Sequence, residues 1–285
     1  MLRILGTSFA ALLGLAFGSF LNVCLSRWPH GESIVYPHSH CRTCDRPLKW
    51  WENIPVICWF VLGGRCRTCR QPIPLRYTLV EASVSALWAT CAWQSLPSLP
   101  DAYITISFSP AFLIGPIATA ALLWLLVALA VLDAENLWLP DFLTIPGIVI
   151  GFLFRTTTKI LGSPQPHPFS LILLNVESIL AAAGLILLIR GVYWLVRRKE
   201  GIGLGDAKLM ALLAAWLGFP ETLLTFFLAV VLGALVAIPM LIGPFAKRTG
   251  GAAKLPLGTF LCIGGIVSAL WGHQILDTYL RWAGF

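Results

Sequence analysis

The chain has 285 residues, 58% of them hydrophobic and only 12% charged, against about 25% charge in an ordinary soluble domain. With a mean hydropathy of +0.81, this excludes a water-soluble globule and makes the bilayer the solvent for most of the fold. The net charge of +7 fits basic loops retained on one side of a membrane, and no nucleic acid partner is expected, because no polar face interleaves basic residues with stacking aromatics.

Eight apolar segments read as membrane spans, near residues 4–26, 77–96, 109–132, 140–155, 170–196, 207–219, 221–243 and 256–276. The first resembles a signal peptide only superficially. Its length suits a span, and no small-residue cleavage site is evident. The expected fold class is an all-α polytopic membrane protein with about eight transmembrane helices and a small extramembrane domain between the first two. In domain terms, 1–26 is the first helix, 27–76 a four-cysteine domain, and 77–285 a seven-helix core. The fourth span contains Pro146-Gly147, and the sixth is brief and opens directly after Gly205-Asp206. Such segments need protein or a watery cavity to satisfy their backbone. Segments 97–108 and 156–169 read as connecting loops, and no internal repeat stands out.

Orientation follows from lysine and arginine. The insertion 27–76 carries eight of them, the segment around Asp206 five, the loop 244–255 three, and the rest of the chain four. The positive-inside rule places the insertion, Asp133 and Asp206 at the cytoplasmic face and both termini outside.

The insertion is too small to rely on an apolar core. It holds Cys41-x-x-Cys44 and Cys66-x-x-Cys69, with 21 residues between the pairs. Each pair makes a knuckle that can place two thiolates on one tetrahedral cation, and the spacing is close to that of four-cysteine zinc sites. Two disulfides are the alternative, which a reducing cytoplasm disfavours. Four thiolates leave no open position, so the zinc is read as structural. Cys58, Cys24, Cys91 and Cys262 read as packing residues. His38 and His40 precede the first knuckle but are unnecessary for a complete set.

Two acids at the ends of apolar runs carry the chemistry. Asp133 closes the run Leu122–Leu132, followed by a short polar hairpin and a new helix at Pro140. Asp206 follows Gly203-Leu204-Gly205. Carboxylates at the edge of hydrocarbon are costly and usually functional. Brought together, two can share a proton and activate water. Gly203 and Gly205 permit close approach of a peptide backbone. Taken singly, each acid could equally be a helix cap. Lys208 can hold a carboxylate ionised, meet substrate or snorkel to headgroups. Glu135 and Asp141 are either a supporting shell or solvated helix-end charges.

The ordered set of motifs resembles the type IV prepilin leader peptidases, and the resemblance covers nearly the whole chain. It comprises Gly18-Ser19-Phe20-Leu21-Asn22-Val23, both cysteine knuckles with Asn53-Ile54-Pro55 between them, and Arg76-Tyr77 leading to Val80-Glu81. It continues through Asp133 with Pro140-Asp141, then Gly203-Leu204-Gly205-Asp206 with Lys208, and Pro256-Leu257-Gly258-Thr259-Phe260. The Gly-x-Gly-Asp element is shared with presenilin-like intramembrane proteases, which lack such a cysteine domain. The resemblance implies an aspartyl peptidase of the bacterial inner membrane. It would cleave the basic leader of type IV prepilins or type II secretion pseudopilins after a Gly at the cytoplasmic boundary, with Asp133 and Asp206 as catalytic acids. It also implies N-methylation of the new terminus with S-adenosylmethionine. Asn22, Arg76, Tyr77 and Glu81, polar residues where the cysteine domain meets the core, are candidates for that step, or else they orient the domain. The implied partners are the prepilin or pseudopilin and membrane lipid; oligomeric state is left open. A peptidase with a purely structural cysteine domain, a transporter and a zinc sensor are the competing readings.

Overall fold

In the computed structural model, the described residues are 1–96, 111–162, 167–199, 201, 203–242 and 255–284. The expected loop 97–108 and the basic residues of the loop 244–255 lie outside them. The described chain is helical: α1 Leu2–Arg27, a short α2 Ile57–Val61, α3 Arg76–Ser95, α4 Ala111–Asn136, α5 Asp141–Gly162, α6 Pro168–Arg197, α7 Leu204–Trp216, α8 Phe219–Ile242 and α9 Leu257–Ala283. A helix stands at each of the eight expected spans. Six of them (α1, α4, α5, α6, α8 and α9) are long and apolar enough to cross a membrane. The other two are α3, which carries Arg76, Glu81 and Gln94, and α7, which has only 13 residues.

One boundary differs from expectation for an identifiable reason. The fourth segment does not end at 155 but runs to Gly162. Thr157 and Thr158 continue it because their hydroxyls donate back to the carbonyls of Leu153 and Phe154, at 2.7 and 2.9 Å. In a bilayer, that self-satisfaction removes the penalty of an unpaired hydroxyl. Pro146 also lies inside this helix. The indole N–H of Trp216 donates to the nearby Gly147 carbonyl at 2.9 Å and ties α7 to this helix.

The chain divides into two compact units, Met1–Ala128 and Leu129–Phe285. In the first, α1 packs along α3 through two glycines four residues apart. A Cβ on Gly14 would lie 2.7 Å from the Ser85 Cα, and one on Gly18 would lie 2.8 Å from the Glu81 Cα. Without a hydrophobic effect between helices in lipid, close backbone approach is the main source of attraction, and only glycine allows it here. Trp88 and Trp124 add indole hydrogen bonds to the carbonyls of Ala120 and Phe17, at 3.0 and 3.1 Å.

In the second unit α7 is enclosed by its neighbours. Asp206, Ala207 and every residue from Leu209 to Ala215 are buried. A helix apolar all round belongs inside a bundle. At 1.5 Å per residue, α7 reaches only about 20 Å, short of the roughly 30 Å hydrocarbon layer. The Arg155 guanidinium reaches the Ala214 carbonyl at its far end, at 3.2 Å.

The glycine seam yields a prediction. Gly14→Ala or Gly18→Ala is expected to destabilise the protein by about 1–3 kcal/mol through overpacking. Gly115→Ala, with nothing within 4 Å of the added carbon, is expected to be neutral. Thermal unfolding in detergent distinguishes the three; equal melting of all three would show that the seam does not hold α1 to α3.

Candidate active site and cysteine cluster

The acid site is assembled within the second unit. Asp133 does not end its span: α4 continues one turn further, to Asn136, and the Asp133 carbonyl accepts the N–H of Leu137 at 2.9 Å. Asp206 lies within α7. The helix begins at Leu204 with Gly203 as its N-cap, so Asp206 is the third helical residue. Its Oδ2 reaches back to accept the Gly203 N–H at 3.2 Å. An acid in a first turn meets the positive end of the helix and one of its unpaired donors.

Both carboxylates are buried, Asp133 at 6% and Asp206 at 8% exposure. They lie within electrostatic reach of each other. Two features of α9 bear on Asp133. Thr259 donates to its Oδ2 from both the backbone N–H, at 2.6 Å, and the hydroxyl, at 3.0 Å. Gly258 leaves the space that the carboxyl fills, since a Cβ there would lie 2.9 Å from Asp133 Cγ. Leu139, from the α4–α5 turn, packs against both Gly258 and Gly205, at 3.0 and 3.2 Å from where their Cβ atoms would be. The two glycine motifs therefore close around one leucine beside the acids. Of the two flanking glycines, Gly205 permits this packing and Gly203 supplies the N–H to Asp206.

Lys208 pairs with Asp141 at 2.5 Å, and both side chains are well exposed, 39% and 58%. The pair ties α7 to the start of α5, and an exposed pair contributes under about 1 kcal/mol. Glu135 is exposed. Thr259 is the residue that sequence reasoning quoted without giving it a role. Its position directly after Gly258 at a helix start was the available signal, because such positions present unpaired N–H groups.

In the first unit the four sulfurs of Cys41, Cys44, Cys66 and Cys69 lie within 4.8 Å of one another. Cys41 and Cys69 are 3.8 Å apart, and ligands about 2.3 Å from a tetrahedral zinc are separated by about 3.8 Å. The donor set therefore fits a closed zinc site. The two knuckles are copies of each other, which corrects the expectation of no repeat: Cys41-Arg42-Thr43-Cys44-Asp45-Arg46-Pro47 against Cys66-Arg67-Thr68-Cys69-Arg70-Gln71-Pro72. The first cysteine of each accepts an N–H four residues on (Asp45, Arg70), and its own N–H donates to the carbonyl five residues on (Arg46, Gln71). Asp45 and Arg70 both take the left-handed backbone, at φ 51° and 59°.

The N–H groups of Cys69 and Thr68 bring the Cys66 thiol down to about 6, and the Thr43 N–H acts likewise on Cys41. The Gln71 N–H favours a thiolate at Cys69, but burial and the neighbouring Cys66, Cys41 and Cys44 thiols outweigh it and push Cys69 up to about 11. The first proton leaves readily and a later one is held, so a fully ionised set calls for a cation. Cys58 donates to the Glu52 carbonyl, away from the cluster. Glu52 is the insertion's internal anchor. Its carboxylate takes Arg46 at 2.9 Å and the Lys49 N–H at 2.9 Å, and both hold its carboxyl below the ordinary range.

The insertion is fastened to α1 and α3. Buried Arg27 donates to the carbonyls of Ser33, at 2.6 Å, and Pro37. The Glu81 carboxylate accepts the Val56 N–H at 2.7 Å, and Asn22 donates to the Tyr77 carbonyl at 2.8 Å. The Arg76 guanidinium lies over the Tyr77 ring at 4.9 Å. The four methyl-transfer candidates thus meet at the junction of α1, α3 and the insertion. Asn22 Oδ1 is buried there without a partner, and beside the Glu81 carboxylate it provides acceptors suited to the ammonium or hydroxyl groups of S-adenosylmethionine.

Residues 12–95 match the bacterial peptidase A24 N-terminal domain, and residues 120–238 match the type IV leader peptidase family. Prepilin leader peptidase/N-methyltransferases from Stutzerimonas stutzeri and from Pseudomonas aeruginosa are each 32% identical over 300 residues, covering 96% of this chain and 93% of theirs. One from Klebsiella pneumoniae is 37% identical over 229 residues, covering 76% of this chain and 89% of its own. No solved structure gives a significant match.

Two outcomes are expected for the insertion. Elemental analysis should find one divalent cation per chain, lost in Cys66→Ser and retained in Asp206→Asn; a metal-free wild type with all four thiols alkylated at the ordinary rate would refute the site. Glu52→Gln should destabilise the insertion, measured by amide exchange over 41–72. A carboxyl held below its ordinary value of 4.5 contributes stability that is complete above that pH and is lost as pH falls through the folded value. The gap between wild type and Glu52→Gln should therefore be constant near neutrality and narrow in acid.

Proposed function

Because this chain belongs to the type IV leader peptidase family, we propose that it cleaves the leader of a prepilin or pseudopilin at the membrane boundary and methylates the new amino terminus. The observation that supports the peptidase reading is the pair of buried carboxylates, Asp133 and Asp206, within electrostatic range of each other and each hydrogen-bonded at a helix N-terminus. One carboxylate takes a proton from water as the oxygen bonds to the scissile carbonyl carbon. The other, protonated, gives its proton to the carbonyl oxygen. In collapse, the first returns its proton to the leaving nitrogen as the C–N bond breaks, and the second recovers its own from a hydroxyl of the diol. Atoms and protons balance, and both acids return to their starting states.

The excess of basic residues around the insertion and Asp206 supports a cytoplasmic location for the site in a bacterial inner membrane. A leader kept in the cytoplasm then presents its cleavage point at that face, with its apolar helix in lipid among small residues. Zinc held by Cys41, Cys44, Cys66 and Cys69 is assigned a structural role, because four thiolates fill its coordination. S-adenosylmethionine would supply the methyl group. Asn22, Glu81, Arg76 and Tyr77 are proposed to bind it or to orient the terminus that receives the group.

The test is the intact mass of a prepilin incubated with purified enzyme in lipid and S-adenosylmethionine. Loss of the leader and gain of one methyl are expected. Asp133→Asn and Asp206→Asn should each lower cleavage at least about 1,000-fold while inserting normally, since a lone acid cannot serve both proton transfers. Substantial cleavage by either variant would sink the assignment, and leader loss without a methyl would limit the reading to a peptidase.

A further inference from the structure

The two acids are not held alike. Asp133 Oδ2 accepts two donors from Thr259, at 2.6 and 3.0 Å, whereas Asp206 Oδ2 accepts a single N–H, from Gly203, at 3.2 Å. Donors aimed at one carboxylate favour its ionised form, and shorter bonds favour it more. The Thr259 hydroxyl also lies 3.1 Å from the Ala130 carbonyl. It has one proton and two acceptors within reach. When Asp133 is ionised, the proton turns to the carboxylate; when Asp133 is protonated, it turns to the carbonyl and stays bonded.

We infer that Thr259 is a positioning residue that holds Asp133 as the ionised acid, making Asp133 the base that takes the water proton and Asp206 the acid that protonates the scissile carbonyl. The inference rests on the acid-pair reading above. The other ionisable groups near the pair are consistent with it. Asp206, from α7, and the Cys262 thiol, from α9, lie within electrostatic range of Asp133, and neither supplies a positive charge. Lys208, from α7, is engaged by Asp141, from α5. The asymmetry is therefore left to the hydrogen-bond donors, and those belong to α9. A side chain at Gly258 would press on the carboxyl, which fixes why Thr259 follows a glycine.

Thr259→Val keeps the shape and the backbone N–H but removes the hydroxyl. Its prepilin cleavage is measured across pH with the full chain in lipid. The expectation is kcat lowered about 10-fold with KM unchanged, and the acidic limb of kcat/KM moved up by about one pH unit, the size expected for one hydrogen bond to a charged group. Thr259→Ser should restore both. An acidic limb that stays in place while the alkaline limb moves up would make Asp206 the base. A Val variant with the wild-type profile, or a Ser variant no better than Val, would reduce Thr259 to packing. Asp133→Asn and Asp206→Asn run alongside. Cleavage by either would overturn the acid pair itself, whatever the Thr259 variants do.

Discussion

The burial of α7 on every side is the constraint on which the second unit depends. A helix enclosed by protein has a fixed rotation and depth, because each buried residue from Leu209 to Ala215 has a neighbour shaped to it. Asp206 sits in its first turn, so the acid inherits that rigidity. The exposed Lys208–Asp141 pair adds little energy but joins the start of α7 to the start of α5. At the other end, Arg155 meets a carbonyl that the membrane could not satisfy. The position of the site is thus set by packing along a whole helix rather than by a loop.

The same economy of donors explains how two acids can be kept in an apolar bundle. A carboxyl there needs either a proton or hydrogen bonds. Helix starts have unpaired N–H groups to give. The α7 start serves Asp206 through Gly203, and the α9 start serves Asp133 through Thr259. Glycines at 205 and 258 let Leu139 pack against both, without adding a polar group that would itself need a partner.

Much of this was legible in the chain because the signals were local. Apolar runs of span length pointed to the helices, the cysteine spacing to the cluster, and acids at the edges of apolar runs to the candidate site. What stayed hidden depended on contacts distant in sequence. Nothing near Asp133 announces that Thr259, 126 residues later, donates to it. Nothing beside Lys208 in sequence announces its pairing with Asp141, 67 residues earlier. The extension of α5 through three threonines was obscured because β-branched residues score poorly as helix formers, while their hydroxyls satisfy themselves only once the helix exists. The Arg46–Glu52 pair carries no mark in the chain, because it forms only through the fold of the knuckle.

The duplicated knuckle also imposes an order on biosynthesis. Each copy contributes two of the four thiols, so neither can complete a coordination shell by itself. The chain emerges with α1 first, then Cys41 and Cys44, and the shell stays incomplete until Cys66 and Cys69 appear, the latter seven residues before α3 begins at Arg76. The four thiols are therefore all delivered between α1 and α3, and the glycine seam of α1 finds its partner only after the fourth cysteine has appeared.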